Sequence, residues 1–254
     1  MDNNKEKIKK DNKKAIPKFL LILLVCAVIG GVFGYSSVAL SVSNWRDVFS
    51  NSVYEFLRII TPYISIISFT VLVLPAYIIY RKALKLADGW DGEEEDIPES
   101  IDKKLNLVIL FISIATLVGF FGISCIMIVN CGAGGSVLAF ISFIVVELLI
   151  AVIQQKAIDL TRRMNPEKQG SVYDTKFEKK WYESCDEAEK RNIGEAAYYS
   201  FRITTKSCIV LWCVALFAHI AFNTGVFPIV LVLLIAGISQ ISYIIKAMKL
   251  QQGK

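Results

Sequence analysis

Glu147 and His219 are the two side chains in the most apolar parts of this sequence that could move a proton. Glu147 is the one acid well inside an apolar run, and an ionised carboxylate in hydrocarbon needs a partner to offset its desolvation. Such a group could relay protons or hold a cation; the plainer reading is a hydrogen-bonded Glu that clamps helices together. His219, the single histidine, could shuttle protons or bind a metal, or could equally be a packing residue. Counted from the centres of their runs, Glu147 lies about two residues inward and His219 about four outward, a depth difference of roughly 9 Å at the rise of an α-helix. The two are expected not to touch.

His219-Ile220-Ala221-Phe222-Asn223 resembles the His-x-x-x-Asn element of CAAX-type intramembrane proteases, and Glu187-Ala188-Glu189-Lys190-Arg191 has their Glu-x-x-x-Arg spacing. Those elements must converge on one buried water or metal. Here the acidic element falls in a polar segment and His219 toward the opposite side, so an intramembrane hydrolase is a remote alternative. The metalloprotease pattern His-Glu-x-x-His and the phosphate-cradling loop are absent. One His and no Cys-x-x-Cys leave no zinc set; Cys26, Cys125, Cys208 and Cys213 lie in apolar runs and read as small hydrophobes, Cys185 as a reduced thiol, and Cys131 as the one facing outward. No catalytic residue, cofactor or metal is expected.

The elements that must position these groups are apolar runs. The chain is 54% hydrophobic with mean hydropathy +0.51, too apolar for an ordinary soluble domain. Six runs, about 19–40, 59–80, 105–129, 135–155, 207–223 and 226–245, approach the roughly 20 residues needed to span a bilayer. All-α architecture follows: a polytopic bundle of six transmembrane helices in a single membrane domain, 1–254. Almost all of the 28 Lys and Arg residues fall in segments that one six-span threading puts on one side; Arg46 and Arg58 are the exceptions. Basic residues resist translocation, so both termini are expected in the cytoplasm, with short external turns near Asn44, Cys131 and Asn223. The 22-residue first run exceeds a secretory h-region of about 7 to 15 residues and reads as an uncleaved span.

Two polar segments remain. The acidic loop 81–104 carries Asp88, Asp91, Glu93, Glu94, Glu95, Asp96, Glu99 and Asp102 and reads as a solvated linker. The loop 156–206 is too small for an independent core and must lean on the membrane. Within it Phe177, Trp181 and Cys185 recur at four-residue spacing, an amphipathic interfacial helix, and Ile193, Ala197 and Phe201 continue the stripe toward the fifth span. Its Lys residues are interspersed with acids, which argues against nucleic-acid binding.

Lys82-Ala83-Leu84-Lys85-Leu86, Lys156-Ala157-Ile158-Asp159-Leu160 and Lys246-Ala247-Met248-Lys249-Leu250 share one pattern at the inner ends of the even-numbered spans. Gly31-Val32-Phe33-Gly34 and Gly119-Phe120-Phe121-Gly122 form a second echo. Three hairpin repeats would explain both, as would ordinary snorkelling Lys residues at span ends. Gly30 and Gly34 have close helix-packing spacing, Pro75 is expected to kink the second span, and Pro62 and Pro228 to sit near outer helix starts.

The stretch Asn165-Pro166-Glu167-Lys168-Gln169-Gly170-Ser171, then Lys176-Phe177-Glu178-Lys179-Lys180-Trp181 and Ser184-Cys185-Asp186-Glu187-Ala188-Glu189-Lys190, resembles a family of uncharacterised six-span membrane proteins of Gram-positive bacteria. Trp90-Asp91-Gly92-Glu93 and Asp102-Lys103-Lys104-Leu105 are similar too. The resemblance implies a bacterial plasma membrane and a domain of unknown function, and it assigns no catalytic residue. The expected role is a non-catalytic membrane partner, sensor or accessory subunit, with the lipid bilayer and a cytoplasmic or membrane protein as partners. The alternative is a small transporter or permease component using Glu147 and His219.

Overall fold

The structure, a computed structural model, describes residues 45–91, 93 and 96–251, together with 17, 21, 24–25, 27–28, 30–32 and 34–36. Every regular element among them is helical, as expected. The helices are α1 (Trp45–Ile60), a 3₁₀ turn (Thr61–Tyr63), α2 (Ile64–Ser68), a π-helical turn (Phe69–Val73), α3 (Leu74–Gly89), α4 (Asp96–Ile128), α5 (Gly132–Met164), α6 (Phe177–Glu183), α7 (Glu187–Phe222) and α8 (Phe227–Gln251). Five helical segments, Asp47–Gly89, Asp96–Ile128, Gly132–Met164, Glu187–Phe222 and Phe227–Gln251, are long and apolar enough to cross a bilayer, and they contain most of the second to sixth runs. The first run and the turn near Asn44 lie largely outside the described residues; the described positions between 17 and 36 are helical.

Contacts divide the chain into two units, Asn51–Gly194 and Met1–Ser50 with Glu195–Lys254. The core of the first is a seam of α3, α4 and α5. Ala76, Tyr80, Ala83 and Ala87 on α3, Ile101, Leu105, Val108, Ile112 and Ala115 on α4, and Val146, Ile150, Ile153, Ala157 and Leu160 on α5 are buried. Their spacing alternates between three and four residues, the seam of left-handed helix packing. Ala and Gly on that seam let the backbones approach. A Cβ at Gly122 would come within 2.9 Å of Ile64 Cγ2, so the third-span glycine echo sits at a close crossing. No described atom lies within 4 Å of a Cβ placed at Gly30 or Gly34. The opposite faces expose Leu110, Leu117, Phe121, Ile141 and Leu148, the surface that lipid solvates.

At the proline expected to kink the second span the structure shows a change of helix type. Pro75 lacks an amide hydrogen and its ring crowds the preceding turn, and the wider π-helical turn Phe69–Val73 immediately precedes it. Pro62 departs from the sequence reading: it lies in a 3₁₀ turn within a continuous helical stretch, not at a helix start, whereas Pro228 is the second residue of α8. At the turn between α4 and α5, Asn130 Oδ1 accepts the amide of Gly132, whose φ is +72°, and the Asn130 amide donates to Tyr54 Oη at 3.1 Å.

The acidic segment 81–104 is a second correction. It is mostly helix, because α3 runs to Gly89 and α4 begins at Asp96, leaving a short connection. Glu99 pairs with Lys103 one turn later, which lowers the Glu99 pKa and supports helix instead of a solvated coil. In the second unit Phe201 stacks on Tyr243 at 4.7 Å and Phe49 meets Phe222 at 5.3 Å.

Candidate functional site

Glu147 lies on α5 against α4. Its Oε2 accepts from Thr116 Oγ1 at 3.4 Å, and Oε1 is buried with no hydrogen-bond partner. A Cβ at Gly119 would stand 2.6 Å from that Oε1, so the glycine makes room for the carboxyl. Thr116 and Gly119 are one turn apart on the face of α4 that meets α5. The contact links α5 to α4, and the neighbours supplied by α4 are a hydroxyl and a glycine.

His219 sits in the last turn of α7, in the other unit. Its Nδ1 is buried without a hydrogen-bond partner, and its carbonyl accepts the amide of Asn223 at 2.8 Å. Asn223 adopts φ +56°, a left-handed residue of the kind that ends helices. Glu187 opens α7 and His219 lies near its close, so the two halves of the protease-like pattern occupy opposite ends of one 36-residue helix. Among the described residues no three His, Cys, Asp or Glu side chains converge as a metal-binding group would.

The most developed site lies where the chain leaves α5. Residues 165–186 fold back as a cap. Gln155, taken in the sequence as an extension of the fourth span, is its anchor: Oε1 accepts both Ser171 Oγ at 3.0 Å and the Val172 amide at 2.9 Å. Arg163 donates to Asp88 at 2.6 Å, tying the end of α5 to α3. Gly170, at φ +130°, lies under the Phe177 ring, where a Cβ would come within 2.8 Å. The amphipathic helix expected through Cys185 stops at Glu183, because Asp186 starts a new one: Asp186 Oδ1 accepts the Glu189 amide and Glu189 Oε2 accepts the Asp186 amide. That reciprocal capping box launches α7, which runs unbroken through Gly194 into the fifth apolar run.

Under the cap is a cavity of about 530 Å³ between α4, α5, α6 and the start of α7. Its floor is apolar, with Leu105, Ile109 and Ile158; Trp181 forms one wall. Lys168 is 3% exposed at its side chain and is held by Glu189 Oε2, with Cys185 Sγ at 3.5 Å and the Trp181 ring centre at 5.9 Å. Burial alone would lower the Lys168 pKa, but hydrogen bonds to Glu189 and Cys185 outweigh it and the value is raised. Asp102 also lines the cavity; burial, then the Glu189 carboxylate, raise its pKa against the opposing pull of Lys168. Sequence reasoning missed this cluster. The available signal is Asp186-x-x-Glu189, the spacing of a capping box, which overlaps the Glu187-x-x-x-Arg191 pattern.

Apolar helices closed at one end by a folded polar cap define a helical membrane protein. The chain belongs to the family described as Protein of unknown function (DUF3169), which it matches over residues 13–247. No curated protein and no solved structure matches it.

Proposed function

We propose that this chain is a six-span protein of the bacterial plasma membrane, with both termini and the cap in the cytoplasm, that acts without catalysis as a membrane partner, sensor or accessory subunit. The cap carries the reading. Residues 165–186 are fastened to the helices at Gln155 and Lys168, and an ordered polar surface on an otherwise lipid-facing bundle is where another molecule can be met. The run 19–40 supplies the sixth span, and the Lys-Ala-apolar-charged-Leu echoes mark the inner ends of three hairpins.

Photo-crosslinking in native membranes tests this. Probes replacing Tyr173 and Tyr182, exposed on the cap, should give discrete protein adducts that Gln155→Ala abolishes. Adducts absent from the cap, or unchanged when its anchor is removed, would overturn the reading.

A second reading, a small transporter component, is favoured by the buried, unpartnered Glu147 Oε1 and His219 Nδ1. Glu147→Gln would then abolish flux while the protein stays abundant; unchanged flux would count against it. An intramembrane hydrolase is disfavoured by the placing of Glu187 and His219 at opposite ends of α7.

A further inference from the structure

We propose that the cavity under the cap binds an amphiphilic ammonium compound, its charged nitrogen held by Asp102 and Glu189 and its apolar part laid on Leu105, Ile109 and Ile158. The inference rests on the sensor reading and gives it a ligand class.

Charge decides the sign of the ligand. The lining holds one cation, Lys168, against two carboxylates, Asp102 and Glu189. Lys168 is almost wholly enclosed and paired with Glu189, and its charge also acts on Asp102, so one cation is set against two carboxylates and the lining is net negative. Asp102 makes no hydrogen bond or ion pair among the described residues, and it lines the cavity. An anionic ligand would meet the net negative charge that Asp102 leaves on the lining, and a neutral apolar one would leave that charge without a partner. An ammonium group satisfies Asp102 and shares Glu189.

Shape and chemistry agree with that assignment. A volume of about 530 Å³ falls within the range of small-molecule sites. Trp181, over whose ring Lys168 already lies at 5.9 Å, adds an aromatic wall, and Asn106, Gln154 and Asn192 contribute amide groups to the lining. The apolar floor belongs to α4 and α5, two of the helices that enter the bilayer, so an alkyl tail and a polar head are both accommodated.

The test uses the full chain in dodecyl maltoside micelles, titrated with hexylammonium, hexanol and hexanoate and followed by tryptophan fluorescence. Hexylammonium should saturate, hexanol should bind at least about tenfold more weakly, and hexanoate should not bind. Asp102→Asn should weaken hexylammonium by about tenfold or more, and Asp102→Glu should retain it. Asn192→Lys, which places a resident cation at the cavity, should abolish binding and serves if Asp102→Asn fails to accumulate. Competition from phosphatidylethanolamine added to the micelles would identify a lipid headgroup as the source, and no competition a soluble amine; either supports the site. Equal binding of hexanol, absence of saturation, or an Asp102→Asn chain that binds like the parent would overturn it. Loss of ammonium binding with cap crosslinks intact refutes this inference alone, whereas intact ammonium binding without crosslinks refutes the partner reading.

Discussion

Lys168 and Glu189 are paired across the cap, and the Glu189 oxygen that accepts from the ammonium also accepts the Asp186 amide at the start of α7. One carboxylate therefore closes the cap and launches the 36-residue helix α7. The two functions cannot be separated by removing it, which makes this pair the most informative place to perturb the protein.

Glu189→Ala should open the cap more than Glu189→Gln, because alanine loses both the cation's partner and the capping box. Breaking a buried pair costs about 3–5 kcal/mol, and the partly exposed Glu189 side chain reduces that to about 1–3 kcal/mol here. Cys185, 6% exposed and beside Lys168, is the reporter: maleimide labelling should accelerate about tenfold or more in Glu189→Ala and in Lys168→Met. Because the Lys168 pKa is raised in the folded state, the pair stabilises below the ordinary lysine range and is lost as pH rises through the raised value. Unchanged labelling in both variants would show that the pair does not hold the cap.

Asp102→Asn should stabilise the protein near neutral pH. Burial and Glu189 raise the Asp102 pKa, so over the interval between the ordinary and raised values the folded state binds more protons than the unfolded one. Stability then falls as pH rises through that interval, and the asparagine variant escapes the fall. Thermal unfolding in detergent between about pH 3 and pH 8 should show the two curves merging below the ordinary carboxylate range. A variant less stable than the parent at every pH would contradict it.

Gly122→Ala should destabilise more than Gly119→Ala. The new methyl at 122 meets Ile64 at Cγ2 and again at Cβ, 3.2 Å away, which a side-chain rotation cannot clear; about 1–3 kcal/mol is expected. At 119 it meets the movable end of Glu147, so the cost is smaller and should disappear when Glu147→Ala is combined with it. Additive losses in that double variant, measured by unfolding in detergent, would mean that Glu147 and Gly119 do not share the space.

Gln155→Ala removes the one oxygen that accepts from both the Ser171 hydroxyl and the Val172 amide. Limited proteolysis should then cut between residues 165 and 176 at least about fivefold faster while membrane abundance holds, since two neutral hydrogen bonds contribute roughly 0.5–1.5 kcal/mol each. Equal cleavage rates would place the anchor elsewhere.

Much of the helical scaffold is legible without coordinates. Runs such as 105–129 and 226–245 are apolar from end to end, and a chain that cannot hydrogen-bond to lipid must satisfy its backbone within the helix. The same uniformity hides which face packs. Ile112 and Leu110 are equally apolar, yet one is buried and the other exposed, because lipid and a neighbouring helix solvate hydrocarbon almost equally and leave no polar stripe to read. The acidic segment 81–104 is misread for the opposite reason: charge suggested a solvated coil, but Glu99 and Lys103 pair one turn apart on the extended α4.

What the sequence determined by itself is the medium and the element type, since composition and run length act locally along the chain. The heptad seam of α3, α4 and α5, the hydrogen bond from Thr116 to Glu147, and the gathering of Asp102, Lys168, Cys185 and Glu189 around one cavity were decided by tertiary structure alone. Those four residues come from α4, the connection after α5, the turn after α6 and the first turn of α7. Their meeting depends on how the cap folds back on Gln155, and no local propensity encodes a fold-back fixed by hydrogen bonds between residues so distant in sequence.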